Sequence, residues 1–143
     1  MRAKLLAVWL ACSLACSGEA KDFGSIDLLA GNIRSVYDGD TFTVTVPGWP
    51  AIIGESIEVR VLGIDTAERR GSVGLAKEKA EAARVRVVEL LRGAKVVRLE
   101  RMRRDKYFRI DAVVLVDGVD LGALLVAEGL AKPWDGRGPR PKW

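Results

Sequence analysis

One interruption in the hydrophobic rhythm limits how this chain can fold: a two-residue period lies on either side of a single long stretch with the helical period. Asn32 to Tyr37 predicts a first strand. Thr41 to Val46 alternates Thr with Phe or Val, as a half-buried strand does, and the Asp38-Gly39 step before it predicts a tight hairpin. Pro47-Gly48-Trp49-Pro50 breaks the second strand. Ser56 to Gly63 predicts a third, with Ile57, Val59 and Val61 on one face and Arg60 on the other. Leu75 to Leu91 then carries an apolar stripe of Ala76, Ala80, Ala83, Val87, Leu90 and Leu91, opposed by charged residues and stopped at Gly93. Lys95 to Glu100 and Arg109 to Val116 predict two more strands, separated by the charged segment Arg101 to Lys106 and followed by an Asp117-Gly118 turn. A short helix, Leu121 to Glu128, closes at Gly129.

Three strands, a long helix, two strands and a short helix make a mainly β, α+β chain. This is the order of an OB-fold, a partly open five-stranded barrel. Turns between consecutive strands are too short for parallel crossovers, which argues against an open α/β sheet. With 143 residues, 49% of them hydrophobic, the chain can bury one core. That domain is expected over 32–132, preceded by a linker over 21–31 and followed by a basic Pro/Gly-rich tail over 133–143 that wraps the surface or stays mobile.

Arg2 and Lys4, the apolar run Leu5 to Leu14 and the polar turn from Ser17 to Asp22 have the order of a secretory signal peptide, with cleavage expected after Ala20 and Ala15-Cys16-Ser17 as a competing site. The run is too short for a stable membrane span. Export to the periplasm or the medium is therefore expected, and both cysteines, Cys12 and Cys16, leave with the signal or sit at its edge. Leu14-Ala15-Cys16 opens a second reading, lipid attachment at Cys16, although the leucine sits one position too close.

The chain has no histidine. That excludes Ser-His-Asp and Cys-His nucleophiles, His-ligated zinc or haem, and an imidazole base. Chemistry is left to carboxylates, Lys, Arg, Tyr, Ser and Thr, with a hard metal ion as the natural helper because oxygen donors are what remain. A formal net charge of +4 tilts the partner towards polyanions.

Three segments concentrate charge: Asp38-Gly39-Asp40-Thr41 between the first two strands, Arg60 to Glu68 running out of the third, and Asp105-Lys106-Tyr107-Phe108-Arg109 entering the fifth. With the closing Glu128-Gly129-Leu130-Ala131-Lys132, these four features in this order resemble the staphylococcal nuclease (thermonuclease) family over roughly 32–132. The resemblance implies an OB-fold and a calcium-dependent endonuclease that hydrolyses DNA, with RNA as a second candidate substrate, and a monomer. It implies that Asp40, Asp65 and the carbonyl of Thr66 hold Ca2+, that Glu68 is the general base, and that Arg60 and Arg109 stabilise the scissile phosphate. It further implies that Lys106 and Tyr107 contact a terminal phosphate of the bound strand.

Each residue has a plainer reading. Asp38 and Asp40 are common turn formers, Asp65 could cap the segment after it, Glu68 could be a solvated carboxylate and Arg109 an edge charge. Arg60 is harder to dismiss, being an arginine inside a short strand between Val59 and Val61. The run Arg101, Arg103, Arg104, Lys106 could track a phosphate backbone or be a solvated face, and Arg137, Arg140, Lys142, Trp134 and Trp143 are weaker binding elements still. Two positions depart from the family: Ala67 stands where proline is usual, predicting a looser loop under Glu68, and Phe108 stands where glycine is usual. Phe108 is expected to point into the barrel or to change the aim of Arg109. The chain also stops soon after its second helix, without the longer C-terminal helix of familiar members. The alternative function is a catalytically weak OB-fold module that binds single-stranded nucleic acid or another anionic ligand.

Overall fold

The computed structural model describes residues 22–143; the proposed signal peptide, Cys12 and Cys16 lie outside the described residues. In chain order the elements are β1 (Ile26–Leu28), a 3-10 turn (Ala30–Asn32), β2 (Ile33–Asp38), β3 (Thr41–Val44), α1 (Ala51–Gly54), β4 (Ile57–Val61) and β5 (Ile64–Asp65). They continue with α2 (Gly74–Gly93), β6 (Val97–Arg104), β7 (Ile110–Val116), β8 (Val119–Asp120), α3 (Leu121–Ala127) and β9 (Lys132–Pro133).

The main sheet runs β1-β6-β7-β4-β3-β2 with β8 beside β7, and β5 pairs with β9 separately. β2, β3 and β4 form the expected antiparallel meander, and β6 and β7 the expected hairpin. The chain is thus the mixed α/β, curled-sheet domain expected of an OB-fold. β4 and β7, which are not consecutive in the chain, pair in parallel, and α2 makes this possible by returning the chain across the sheet.

Alternation along the strands puts Phe42, Val44, Val59, Val61, Leu99 and Val114 inside, and the helical period puts Ala80, Ala83, Val87 and Leu91 against them. Leu121 and Leu125 of α3 close the other end of the core. Asp120 caps α3 by accepting from the amide of Ala123 at 2.9 Å, and Arg86 of α2 grips Glu128 with distances of 2.8 and 2.9 Å.

Several boundaries differ from expectation. The stretch read as a linker contributes β1, which pairs with β6. The charged segment after Glu100 is not a loop at its start: Arg101 to Arg104 continue β6 across a bulge in which Arg101 takes φ +53°. The main sheet therefore has more strands than five, because the short segments β1 and β8 pair with β6 and β7, while β9 pairs with β5 apart from it.

Candidate active site

Gly39 and Asp40 make the turn between β2 and β3, and a side chain at Gly39 would meet Ala83 Cβ at 2.7 Å and Thr66 Cγ2 at 2.9 Å. The turn is thereby pressed against α2 and the segment after β5. Asp40 is buried there, accepting from Thr41 Oγ1 at 2.9 Å and from the Thr66 amide at 3.1 Å. Residues 40 and 66, far apart in sequence, are locked together by that one carboxylate.

Arg60 lies on β4 opposite Thr41 of β3 and Asp111 of β7. Its guanidinium reaches Asp40 at 2.8 Å, Asp65 at 3.8 Å and the carbonyl of Ile64 at 3.2 Å. One guanidinium touching both carboxylates means that Asp40 and Asp65 converge on one locus. Both are buried, as is Thr66, whose hydroxyl finds no partner. Breaking the Arg60–Asp40 pair from one side would cost about 3–5 kcal/mol, because a buried carboxylate would lose its cation.

Arg60, Arg109, Glu68, Tyr107 and Asp40 line one cleft of about 370 Å³, together with Asp38, Glu58 and Trp134. Glu68 stands out from the surface at 55% side-chain exposure, while Asp65 sits behind it at 1%. Arg109 is aimed by Asp105, whose Oδ2 accepts from its Nε at 2.7 Å and whose Oδ1 accepts from the amides of Tyr107 and Arg109 at 2.8 and 2.9 Å. Burial works to raise the Asp105 pKa, but the Arg109 amide and guanidinium and the Tyr107 amide outweigh it and hold the carboxyl below its usual range. Asp38 goes the other way: burial and then the neighbouring Asp40 raise it, against the opposing Arg69 amide. The exposed ring of Tyr107 lies 5.1 Å from the Arg109 guanidinium and 5.0 Å from Lys106 Nζ. Lys106 is exposed but does not line the cleft.

The two departures resolve physically. Ala67 is buried, and the loop bearing Glu68 is tethered one residue on: Arg69 donates to the Tyr37 carbonyl at 3.1 Å and to Glu81 at 3.1 Å. Phe108 keeps the left-handed conformation a glycine would take, φ +63°, and its ring faces outwards beneath the Arg104 guanidinium at 4.3 Å. It does not enter the barrel, so that alternative is corrected, and it does not line the cleft.

Sequence reasoning missed the contribution of the 133–143 segment. Arg140 donates to Asp65 Oδ1 from Nε at 2.8 Å and also bonds Glu68, while Trp143 Nε1 donates to Asp65 Oδ2 at 2.9 Å. Trp134 lies 5.5 Å from the Arg60 guanidinium and 5.9 Å from that of Arg140. No local signal could have found the contacts to Asp65 and Glu68, since they span 72 to 78 residues of sequence. Asp105 was legible in principle, four residues before an arginine at a strand entry.

Among the described residues no three Asp, Glu, His or Cys side chains form a ready-made metal cage. The convergent pair Asp40 and Asp65, with the nearby Thr66 backbone, is an all-oxygen donor set whose charge Arg60 and Arg140 meet here, and it fits a hard divalent ion whose remaining ligands are water. The described residues contain no helix long and apolar enough to cross a membrane.

Comparison with known proteins gives two matches. The chain is 36% identical over 109 residues to the SPbeta prophage-derived endonuclease YokF of Bacillus subtilis (strain 168), a match that covers 74% of this chain and 34% of that protein. The chain thus spans about a third of the length of the curated relative it matches. The family model described as Staphylococcal nuclease homologue matches residues 58–140, from β4 with Arg60 through to Arg140. With the curled sheet, the converging carboxylates and this match in agreement, the chain belongs to the staphylococcal nuclease homologue family.

Proposed function

We propose that the chain is a calcium-dependent endonuclease that hydrolyses phosphodiester bonds of DNA, with RNA as a second candidate substrate. The observation that carries this reading is the bridge from Arg60 to both Asp40 and Asp65 at a cleft that Glu68 and Arg109 also line. Asp40, Asp65 and the Thr66 carbonyl would hold the calcium ion, which when bound supplies positive charge to the phosphodiester and acidifies water.

The remaining work falls to the chain's own groups. The exposed Glu68 carboxylate takes the proton of the attacking water as the new P–O bond forms. Arg60 and Arg109 donate to the non-bridging oxygens, whose charge grows as water attacks and the opposite P–O ester bond breaks. Arg109 serves because Asp105 fixes it before substrate arrives, and pre-fixed donors lose no free energy to reorganisation at the transition state. Tyr107, which lines the cleft, and Lys106 beside its ring suit a terminal phosphate of the strand. The leaving oxygen is protonated from solvent.

Single-turnover hydrolysis of single-stranded DNA tests the roles. Glu68→Gln should slow the chemical step by about 10²–10⁴-fold, and Arg109→Ala by about 10²–10³-fold, each with an unchanged circular dichroism spectrum. Near-normal rates in either variant would remove that residue from its role. The name of the Bacillus subtilis relative, an endonuclease, supports this over a pure binding module. So do the carboxylates at the cleft, which would repel a phosphate without a cation between them.

A further inference from the structure

We propose that residues 139–143 form an autoinhibitory plug that occupies the cation locus and masks the general base, and that it must lift before calcium and substrate bind. The proposal rests on the calcium reading above and adds a step that precedes it.

Both oxygens of Asp65 are already engaged. Oδ1 accepts from Arg140 Nε at 2.8 Å and Nη2 at 2.5 Å, and Oδ2 accepts from the Trp143 indole at 2.9 Å. The third Arg140 nitrogen, Nη1, bonds Glu68. A divalent ion needs lone pairs of Asp65, and a base needs those of Glu68. A guanidinium satisfies the same negative charge but supplies no acidified water, so a seated Arg140 is chemically a cation that cannot work.

The segment is built to seat and to release. Upstream it is fixed: Lys132 pairs with Asp65 through β9, and the Trp134 amide donates to the Gly63 carbonyl at 2.9 Å. Gly136 and Gly138 then take φ +83° and +66°, turning the chain back over the cleft. At the far end, apart from the Trp143 indole bond, the contacts lie on the surface: Lys132 Nζ donates to the Lys142 carbonyl at 2.6 Å, and lies 4.8 Å from the Trp143 ring. Arg140 is 42% exposed even while it holds Asp65. Lifting the segment therefore leaves the core packing intact and gives up the part-buried bonds to Asp65, whose negative charge the incoming ion then meets.

A plug seated about nine-tenths of the time weakens apparent cation affinity about tenfold. Trp143→Ala removes one anchor without changing charge, so a gain in affinity cannot come from removing a repelling cation. The test titrates CaCl2 into the 15N-labelled full chain and into Trp143→Ala, with calorimetry alongside. The expected result has two parts. In the parent chain the Trp143 indole N–H resonance moves in step with the Thr66 amide, and Trp143→Ala binds calcium about tenfold more tightly. A Thr66 amide that responds while the Trp143 indole stays still, or an unchanged affinity in the variant, overturns the plug and leaves the calcium site standing. Absence of calcium binding in both proteins overturns the calcium reading and the plug together.

Discussion

Asp105→Asn perturbs the aim of Arg109 with the smallest possible change of shape. In the parent, one carboxylate accepts three N–H groups at 2.7, 2.8 and 2.9 Å and its side chain is only 12% exposed. If the asparagine oxygen keeps the two backbone amides, its NH2 meets the Arg109 Nε–H, donor against donor. The loss is one charge-assisted hydrogen bond, about 2 kcal/mol, which for a domain of this size lowers Tm by roughly 6–10 °C. The pH dependence stems from the depressed pKa. Because Asp105 ionises more readily folded than unfolded, its contribution is complete above the ordinary carboxylate range and is lost as pH falls through the folded-state value. Urea unfolding should therefore separate parent and variant at pH 7, and the gap should close below about pH 4. In the hydrolysis assay kcat/KM should fall about tenfold, as expected for a transition-state donor that has lost part of its orientation. A stability gap equal at pH 7 and pH 3 would refute the electrostatic account. A rise in kcat/KM would refute the positioning role, because Asp105 would then be restraining Arg109 and not aiming it.

Two further substitutions test how the backbone holds the site. Gly39→Ala places a methyl group 2.7 Å from Ala83 Cβ and 2.9 Å from Thr66 Cγ2, so thermal unfolding should report a loss of about 1–3 kcal/mol and hydrolysis should weaken as the Asp40–Thr66 contact shifts; parent-like behaviour in both would contradict the close approach. Phe108→Gly relieves a left-handed aromatic residue at the cost of an exposed contact with Arg104, and should stabilise the fold by about 0.5–1 kcal/mol in denaturant titration, with a destabilisation beyond that size counting against the strain.

Much of the fold was legible because each long element carried its own period. The stripe on α2 buried Ala80, Ala83, Val87 and Leu91, and the meander from β2 to β4 followed its alternation and its turn residues. What escaped was short. β1 and β9 have too few residues to show a period, and they exist because β6 and β5 offer unpaired edges. Arg101 to Arg104 carry almost continuous charge, which reads as a loop, yet they stay in β6 because the bulge at Arg101 lets the strand continue past it. At the site, Asp40, Arg60, Asp65 and Glu68 were legible through motif order alone, and the structure brings them to one cleft and the locus behind it. Arg140 and Trp143 were not, because nothing in a Pro/Gly-rich stretch specifies where it folds back.

If the carboxylates at this cleft work through a bound divalent cation, cleavage must depend on that ion reversibly. The decisive assay is cleavage of single-stranded DNA by the purified protein with calcium, then with excess chelator, then with calcium restored. Hydrolysis should stop with chelator and return with calcium. Binding of the DNA without cleavage under any of the three conditions would contradict the cation's role and leave an OB-fold module that holds nucleic acid and does not cut it.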